Sequence, residues 1–407
     1  MTKSIILRDE NFGLRMATGR RGFDSLGRGP VASTAESVPP KPSVTVENLS
    51  LNDIDDLRRD PSVKAIARPM PTRLIAPVDA GAGTTAETGA TWGVRAVGAD
   101  LSPFDGAGVR VAVLDTGIDP SHPAFAGVNL TMKNFTGGPD SAPDGNRHGT
   151  HCAGTIFGRD LGGLRIGVAP GITEAMIGKV LGDDGSGGSE MLFEGMKWAQ
   201  AGGAKVISMS LGFDFPGLIE DLIRQGWPAR LAGSVALEAY RANLRAFDAI
   251  MDMFGAMAQF DGGTVVVAAA GNESERQQDP NFEVSVSVPA AAFDVISVGA
   301  LAQGAAGLTV ADFSNTNPIL SAPGVGIVSA QAGGGTVALN GTSMACPHVA
   351  GLTALWWQAL ASRPVPLTSD GVKARLRAAT DISAFAAGVD IPDRGEGLAK
   401  APPAAGG

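Results

Sequence analysis

Four short segments of the 407-residue chain carry residue types that can make and break covalent bonds. VAVLDTGID ends an apolar run on Asp115, NRHGTHCAGT holds His148, His151 and Cys152, VVVAAAGNES ends another apolar run on Asn272, and NGTSMACPHVAG holds Ser343. A serine hydroxyl is a weak nucleophile until a neighbouring imidazole takes its proton, and the imidazole works best when a carboxylate fixes its tautomer. A Ser, a His and an Asp brought together are therefore residue types that can carry acyl transfer. Taken singly, each segment has a plainer reading. An Asp at a strand end is most often a turn former or helix cap, and an Asn in an AGN turn is a common turn residue. The His-x-x-His-Cys cluster has the look of a metal site but lacks a further ligand at the right spacing. His122, in a Ser-His-Pro turn, and His348, after Ser343, read as structural.

Such groups need a scaffold that converges on one crevice. VRVAVLD (109–115), EAMIGKVLG (174–182), KVISMSLG (205–212), TVVVAAAGN (264–272) and DVISVGAL (294–301) are rich in β-branched residues and lack polar alternation. Strands covered on both faces of a parallel sheet look like this. SEMLFEGMKWAQAGG and PHVAGLTALWWQAL read as helices. The expected fold class is α/β: a doubly wound, mostly parallel sheet flanked by helices, with its site at the carboxyl ends of the strands. Asp115 stands at such an end, and His148 and His151 open a helix. Ser343, just ahead of Pro347, is expected at a helix N-terminus with the proline in the first turn.

Composition narrows the partners. An apolar fraction of 44% is ample for a core, and 32 Lys+Arg against 41 Asp+Glu give a net charge of -9. That balance repels a phosphate backbone, so no nucleic acid partner is expected. Two cysteines, Cys152 and Cys346, are too few for a disulfide scaffold and are expected as free thiols. No apolar run is long enough to cross a bilayer, so no membrane partner is expected. The Ile5–Leu7 patch is broken at once by Arg8, Asp9 and Glu10, and Arg20-Arg21 only superficially looks like a twin-arginine signal, because the residues after it do not form an apolar run. The expectation is a cytoplasmic protein, or one exported without a conventional signal peptide.

The chain divides into four regions. Residues 1–42 read as a weakly ordered lead-in, and 43–76 as a small β-α-β unit: strand SVTVENL, short helix LNDIDDLRRD capped by Ser50 or Asn52, strand SVKAIAR. Residues 77–91 are small and turn-rich, a flexible linker open to processing. Residues 92–407 form the main domain, with a long helical crossover at 213–263. There Leu237, Tyr240, Leu244, Phe247, Ile250, Met251 and Phe254 recur at helical spacing, so the helix either packs on the sheet or offers a lid or docking surface.

Over about residues 92–401 the chain resembles the subtilisin family of serine peptidases. DTGID, HGTHCAGT and GTSMACPHVAG resemble its three signature segments, in the family order Asp, His, Ser. The resemblance implies a serine endopeptidase acting on proteins or peptides through an acyl-enzyme on Ser343, with His148 as general base and Asp115 orienting it. It implies Asn272 and the Ser343 backbone N–H as the oxyanion hole, a weaker contact from Thr342, and no catalytic role for His151. Gly185-Ser186-Gly187 and Ser210-Leu211-Gly212 resemble the two edges between which an extended peptide lies. Ser287, in SVSVPAAAF, falls where the family has a glycine in the pocket floor, which implies small or medium apolar residues before the scissile bond.

No cofactor is required by this resemblance. Calcium is left open, but the family's usual strong site is not supported: Ala124 replaces the Asp that follows His-Pro, and GRDLGGLR offers only Asp160, one residue out of place. VTVENLSLNDIDDLRRDPSVKAIAR resembles the closing half of the family's prosegment, implying self-processing and a substrate-like inhibitor carried by the chain itself. Two other readings stand beside hydrolysis: a peptide-maturing protease or cyclase, in which an amine captures the acyl-enzyme, and a catalytically dead binding protein on the same fold.

Overall fold

A computed structural model describes residues 1–18, 38–78, 88–363 and 366–404. Residues 19–37 of the lead-in, Arg20-Arg21 among them, and residues 79–87 of the expected linker lie outside the described residues. At the centre is a sheet that, among the described residues, has ten strands. Its main path runs Leu320–Pro323, Ile296–Gly304, Val265–Ala269, Val206–Met209, Val111–Asp115, Glu174–Lys179, Asn129–Asn134, all mutually parallel. The apolar runs are buried because helices cover both faces. Ser189–Ala201 and Ala229–Asp261 pack on one side, and His148–Phe157 and Thr342–Ala361 on the other. After Val111–Asp115 the chain adds strands on one side, then crosses back to form Val206–Met209 on the other. The carboxyl ends of these two strands therefore flank the topological switch point, where an open α/β sheet forms its crevice. No described helix is long and apolar enough to cross a membrane.

The lead-in differs from the expectation. Thr2–Asp9 is the central strand of a three-stranded sheet, paired on one side with Pro42–Leu49 and on the other with Val63–Ala67, and Phe12–Thr18 is helical. Ile5, Ile6 and Leu7 are all buried there, so the short apolar patch is core. Asp9, which breaks the apolar run, is buried but satisfied: it accepts from the Asn11 and Lys41 backbone N–H groups and pairs with Arg15 at 2.7 Å. The helix Leu51–Leu57 starts at Ser50, whose hydroxyl accepts from Asp53 N while Asp53 accepts from Ser50 N, a reciprocal capping box.

This N-terminal unit is not loosely tethered. Ile5, Leu7, Val44, Ala67 and Met70 share one apolar cluster with Leu192, Phe193, Ala232 and Ala239 of the main domain. Met70 exchanges hydrogen bonds with Ser189, and Asn243 Nδ2 donates to Arg68 O at 2.7 Å. Asn243 belongs to Ala229–Asp261, the long helix of the 213–263 segment. That helix buries Phe247, Ile250, Met251 and Phe254 in the main domain, while Tyr240 and Leu244 are half-buried and Leu237 is exposed. It thus serves as packing against the sheet and also as the platform on which the N-terminal unit sits.

Candidate active site

Asp115 is the last residue of strand Val111–Asp115, and His148 the first of helix His148–Phe157. Their close approach depends on two glycines. A β-carbon on Gly149 would stand 2.2 Å from Gly117 O, and Gly117, at φ 113°, adopts a backbone conformation that side chains disfavour. With both positions bare, the strand-end turn and the first helical turn touch, and His148 Nδ1 lies 2.8 Å from Asp115 Oδ1, both side chains buried. Asp115 also accepts from Thr116 N at 2.7 Å. Asp144 binds the same two elements together: it accepts from Thr116 Oγ1, Arg147 N, Thr150 N and Thr150 Oγ1 at 2.6–2.8 Å. Sequence reasoning missed Asp144, although an acid four residues ahead of a helix-opening histidine is a recognisable cap signal.

Ser343 is the second residue of helix Thr342–Ala361. Pro347 therefore falls inside the helix rather than in its first turn, a correction to the expectation. Proline has no N–H, so it cannot bond the carbonyl four residues back, which is that of Ser343. Two side chains take over: Cys152 Sγ and Ser210 Oγ each lie 3.4 Å from Ser343 O. Both cysteines are free and buried. Burial, with Asp115 nearby, holds the Cys152 thiol in its protonated form, and burial pushes Cys346 up to about 12. Asp115, His148 and Cys152 lie close enough to suggest a metal site, yet a protonated thiol is a poor ligand, and the other two are engaged with each other. The remaining histidines point elsewhere. His151 Nε2 meets Ile327 O at 2.9 Å and burial drives it down to about 3, His348 Nδ1 meets Met344 O at 2.8 Å and is driven down to about 4, and His122 Nε2 meets Gly335 O.

Asn272 follows strand Val265–Ala269. Its Oδ1 accepts from Thr342 N at 2.9 Å and Thr342 Oγ1 at 2.8 Å, which fixes the amide with Nδ2 turned to the cleft. Thr342 thus acts on Asn272 instead of facing the cleft with a donor of its own. Nδ2 donates to Ala76 O at 3.0 Å, and Ser343 Oγ donates to Ile75 O at 2.8 Å.

Those two carbonyls belong to the chain's own N-terminal segment, which runs through the crevice as an extended strand. Pro71–Leu74 is the middle strand of a three-stranded sheet, antiparallel to Ser186–Gly188 on one side and Leu211–Phe213 on the other. Leu74 N donates to Gly185 O at 2.8 Å, Ile75 N to Ser210 O at 3.3 Å and Val78 N to Asn340 O at 2.9 Å. Gly185, Ser186, Gly187, Ser210, Leu211 and Gly212 are thereby brought to the edges of a single groove. A β-carbon on Gly212 would stand 3.5 Å from Ser287 Oγ and 3.9 Å from Ile75 Cγ1, ordinary contact distances, so Gly212 lies next to both Ser287 and the isoleucine. Ser287 Oγ is buried with no hydrogen-bond partner among the described residues.

The loop where the family's usual strong calcium site would fall is held by arginines. Ala124 is buried, and its carbonyl accepts from Arg159 N at 2.8 Å. The Arg159 guanidinium then reaches the carbonyls of Ala126, Pro170 and Ile172, and Arg165 reaches those of Gly167 and Val168. The carbonyls of Ala126, Pro170, Ile172, Gly167 and Val168 thus already face guanidinium groups, and Asp160 is exposed.

Comparison with known proteins gives one consistent answer. A family profile described as Subtilase family matches residues 106–398. M-protease of Shouchella clausii (strain KSM-K16) is 34% identical over 320 residues, covering 77% of this chain and 68% of that protein. Subtilisin DY of Bacillus licheniformis is 34% identical over 275 residues, 67% of this chain and 84% of that protein. The major intracellular serine protease of Bacillus subtilis (strain 168) is 34% identical over 256 residues, 61% and 68% respectively.

Proposed function

Because the chain belongs to the subtilase family and is a serine-type endopeptidase, we propose that Ser343, His148, Asp115 and Asn272 perform its chemistry and that residues 71–78 occupy its substrate groove. Ser343 Oγ attacks the carbonyl carbon of an extended peptide while His148 takes the hydroxyl proton. Asp115 accepts a hydrogen bond from Nδ1–H, stays ionised and so keeps Nε2 as the acceptor. The tetrahedral oxyanion is held by Asn272 Nδ2 and the Ser343 backbone N–H at a helix N-terminus. Collapse breaks the C–N bond, the proton on His148 goes to the departing amine, and water repeats the sequence on the acyl-enzyme.

The observation that carries this reading is the strand in the groove. An extended segment paired on both edges, with one carbonyl on Ser343 Oγ and the next on Asn272 Nδ2, is how a peptide substrate would be held by strand addition. It is held one carbonyl out of productive register. On this reading Ile75, whose N–H donates to Ser210 O, precedes the bond to be cut, while the amide donor holds Ala76 O and the Ser343 proton is directed at Ile75 O. Such an occupant inhibits first and is cut slowly. Purified wild-type protein should convert on standing to a species beginning at Ala76, detected by intact mass and N-terminal sequencing, while Ser343→Ala stays at full length. Wild-type protein that is active without any such trimming would make the N-terminal unit a permanent subdomain.

The Ala124–Arg159 loop is proposed to use a guanidinium where a bound calcium ion would otherwise hold the loop. Excess EDTA should then shift Tm by less than about 2 °C. Arg159→Ala should destabilise by about 2–4 kcal/mol, because several carbonyls lose a charged donor. A large chelator-induced fall in Tm that calcium reverses would contradict this.

A further inference from the structure

The groove edge Leu211–Phe213 runs directly into Asp214, which prolongs the pairing by donating its backbone N–H to Pro71 O at 2.9 Å. Its carboxylate is fixed in place. Oδ1 accepts from Gly217 N at 2.9 Å, capping helix Phe215–Arg224, and a β-carbon on Gly217 would stand only 2.2 Å from Oδ2, so the glycine leaves that oxygen its space. Oδ2 lies 3.7 Å from Arg73 Nη1. Along the bound strand Thr72 and Leu74 are buried, whereas the Arg73 side chain between them points outward and is 74% exposed. Gly212 and Ser186, directly opposite Arg73, carry no charge. With Ile75 before the bond to be cut, Arg73 is the third residue on the acyl side. We propose that Asp214 is a specificity-determining residue that favours arginine or lysine at this third position and disfavours glutamate.

The inference rests on reading residues 71–78 as a substrate mimic, and it assigns to the 213–263 segment a share in substrate choice. An ion pair this exposed is weak, so arginine should be preferred over glutamine by about 2- to 5-fold in kcat/KM, and over glutamate by more, with the preference shrinking as salt is raised. The test uses peptides identical except for Arg, Gln or Glu at that position, cut by the wild-type chain and by Asp214→Asn at low and high salt. Asparagine caps a helix about as well as aspartate, so this variant removes the charge and keeps the turn. The expected result is an Arg:Gln ratio that falls to about 1 in Asp214→Asn and in high salt. Cleavage at the intended bond with no arginine preference, or with a preference unchanged in Asp214→Asn, overturns the role of Asp214 and leaves the peptidase reading standing. No cleavage of any peptide by either protein, with Ser343 also inert to a fluorophosphonate, overturns that reading and this inference together.

Discussion

Ser343→Ala should lower kcat on a peptide substrate by about 10⁶-fold, the loss known for this knockout in subtilisin itself, and leave a folded protein. The hydroxyl is the proposed nucleophile, and its own hydrogen bond goes to the occupying strand rather than to the core. Removing one oxygen leaves the helix Thr342–Ala361 and its apolar packing in place, so stability should change by less than about 1 kcal/mol. Amidase assays and thermal unfolding on the same preparations check both halves. A variant keeping more than about one part in a hundred of wild-type activity would point to another nucleophile.

Asp115→Asn should cost about 10⁴-fold in kcat, a magnitude taken from subtilisin and from an unrelated triad peptidase. Asp115 Oδ1 faces His148 Nδ1 at 2.8 Å while accepting Thr116 N at 2.7 Å, with both side chains of the pair out of water. An amide in this place can present an N–H to Nδ1. The imidazole proton then shifts to Nε2, the atom that must accept from Ser343. Substrate binding does not involve Asp115, so KM should move by no more than about 3-fold while kcat collapses. Equal losses in kcat and binding would mean that the substitution has disturbed the groove instead of the tautomer.

How much of this is legible in the sequence depends on whether a residue's partner is local. The buried strands announce themselves by uninterrupted β-branched runs, with Asp115 at the end of one and Asn272 just past another, while His148 and Ser343 stand at the starts of helices. Ile5–Leu7 misleads because the interruption by Arg8 and Asp9 looks like an end of order. In the structure Asp9 is satisfied by Asn11, Arg15 and Lys41, the last of them 32 positions away. Pro347 misleads because proline prefers a first turn. The longer helix is tolerated because Cys152 and Ser210, from distant segments, serve the freed carbonyl of Ser343. The linker composition suggests that the N-terminal region can reach the cleft, but the choice of Ile75 and Ala76 comes from the register with Gly185 and Ser210, which no local pattern encodes.

If Ser343 is a nucleophile activated by His148, covalent labelling should find it. Wild-type protein and His148→Ala are treated with a fluorophosphonate, and the adduct is located by peptide mass mapping. One adduct is expected, on Ser343, forming in the wild type in step with loss of peptidase activity and failing to form at a comparable rate without His148. An adduct on another residue, or continued peptide hydrolysis by fully labelled protein, would contradict it.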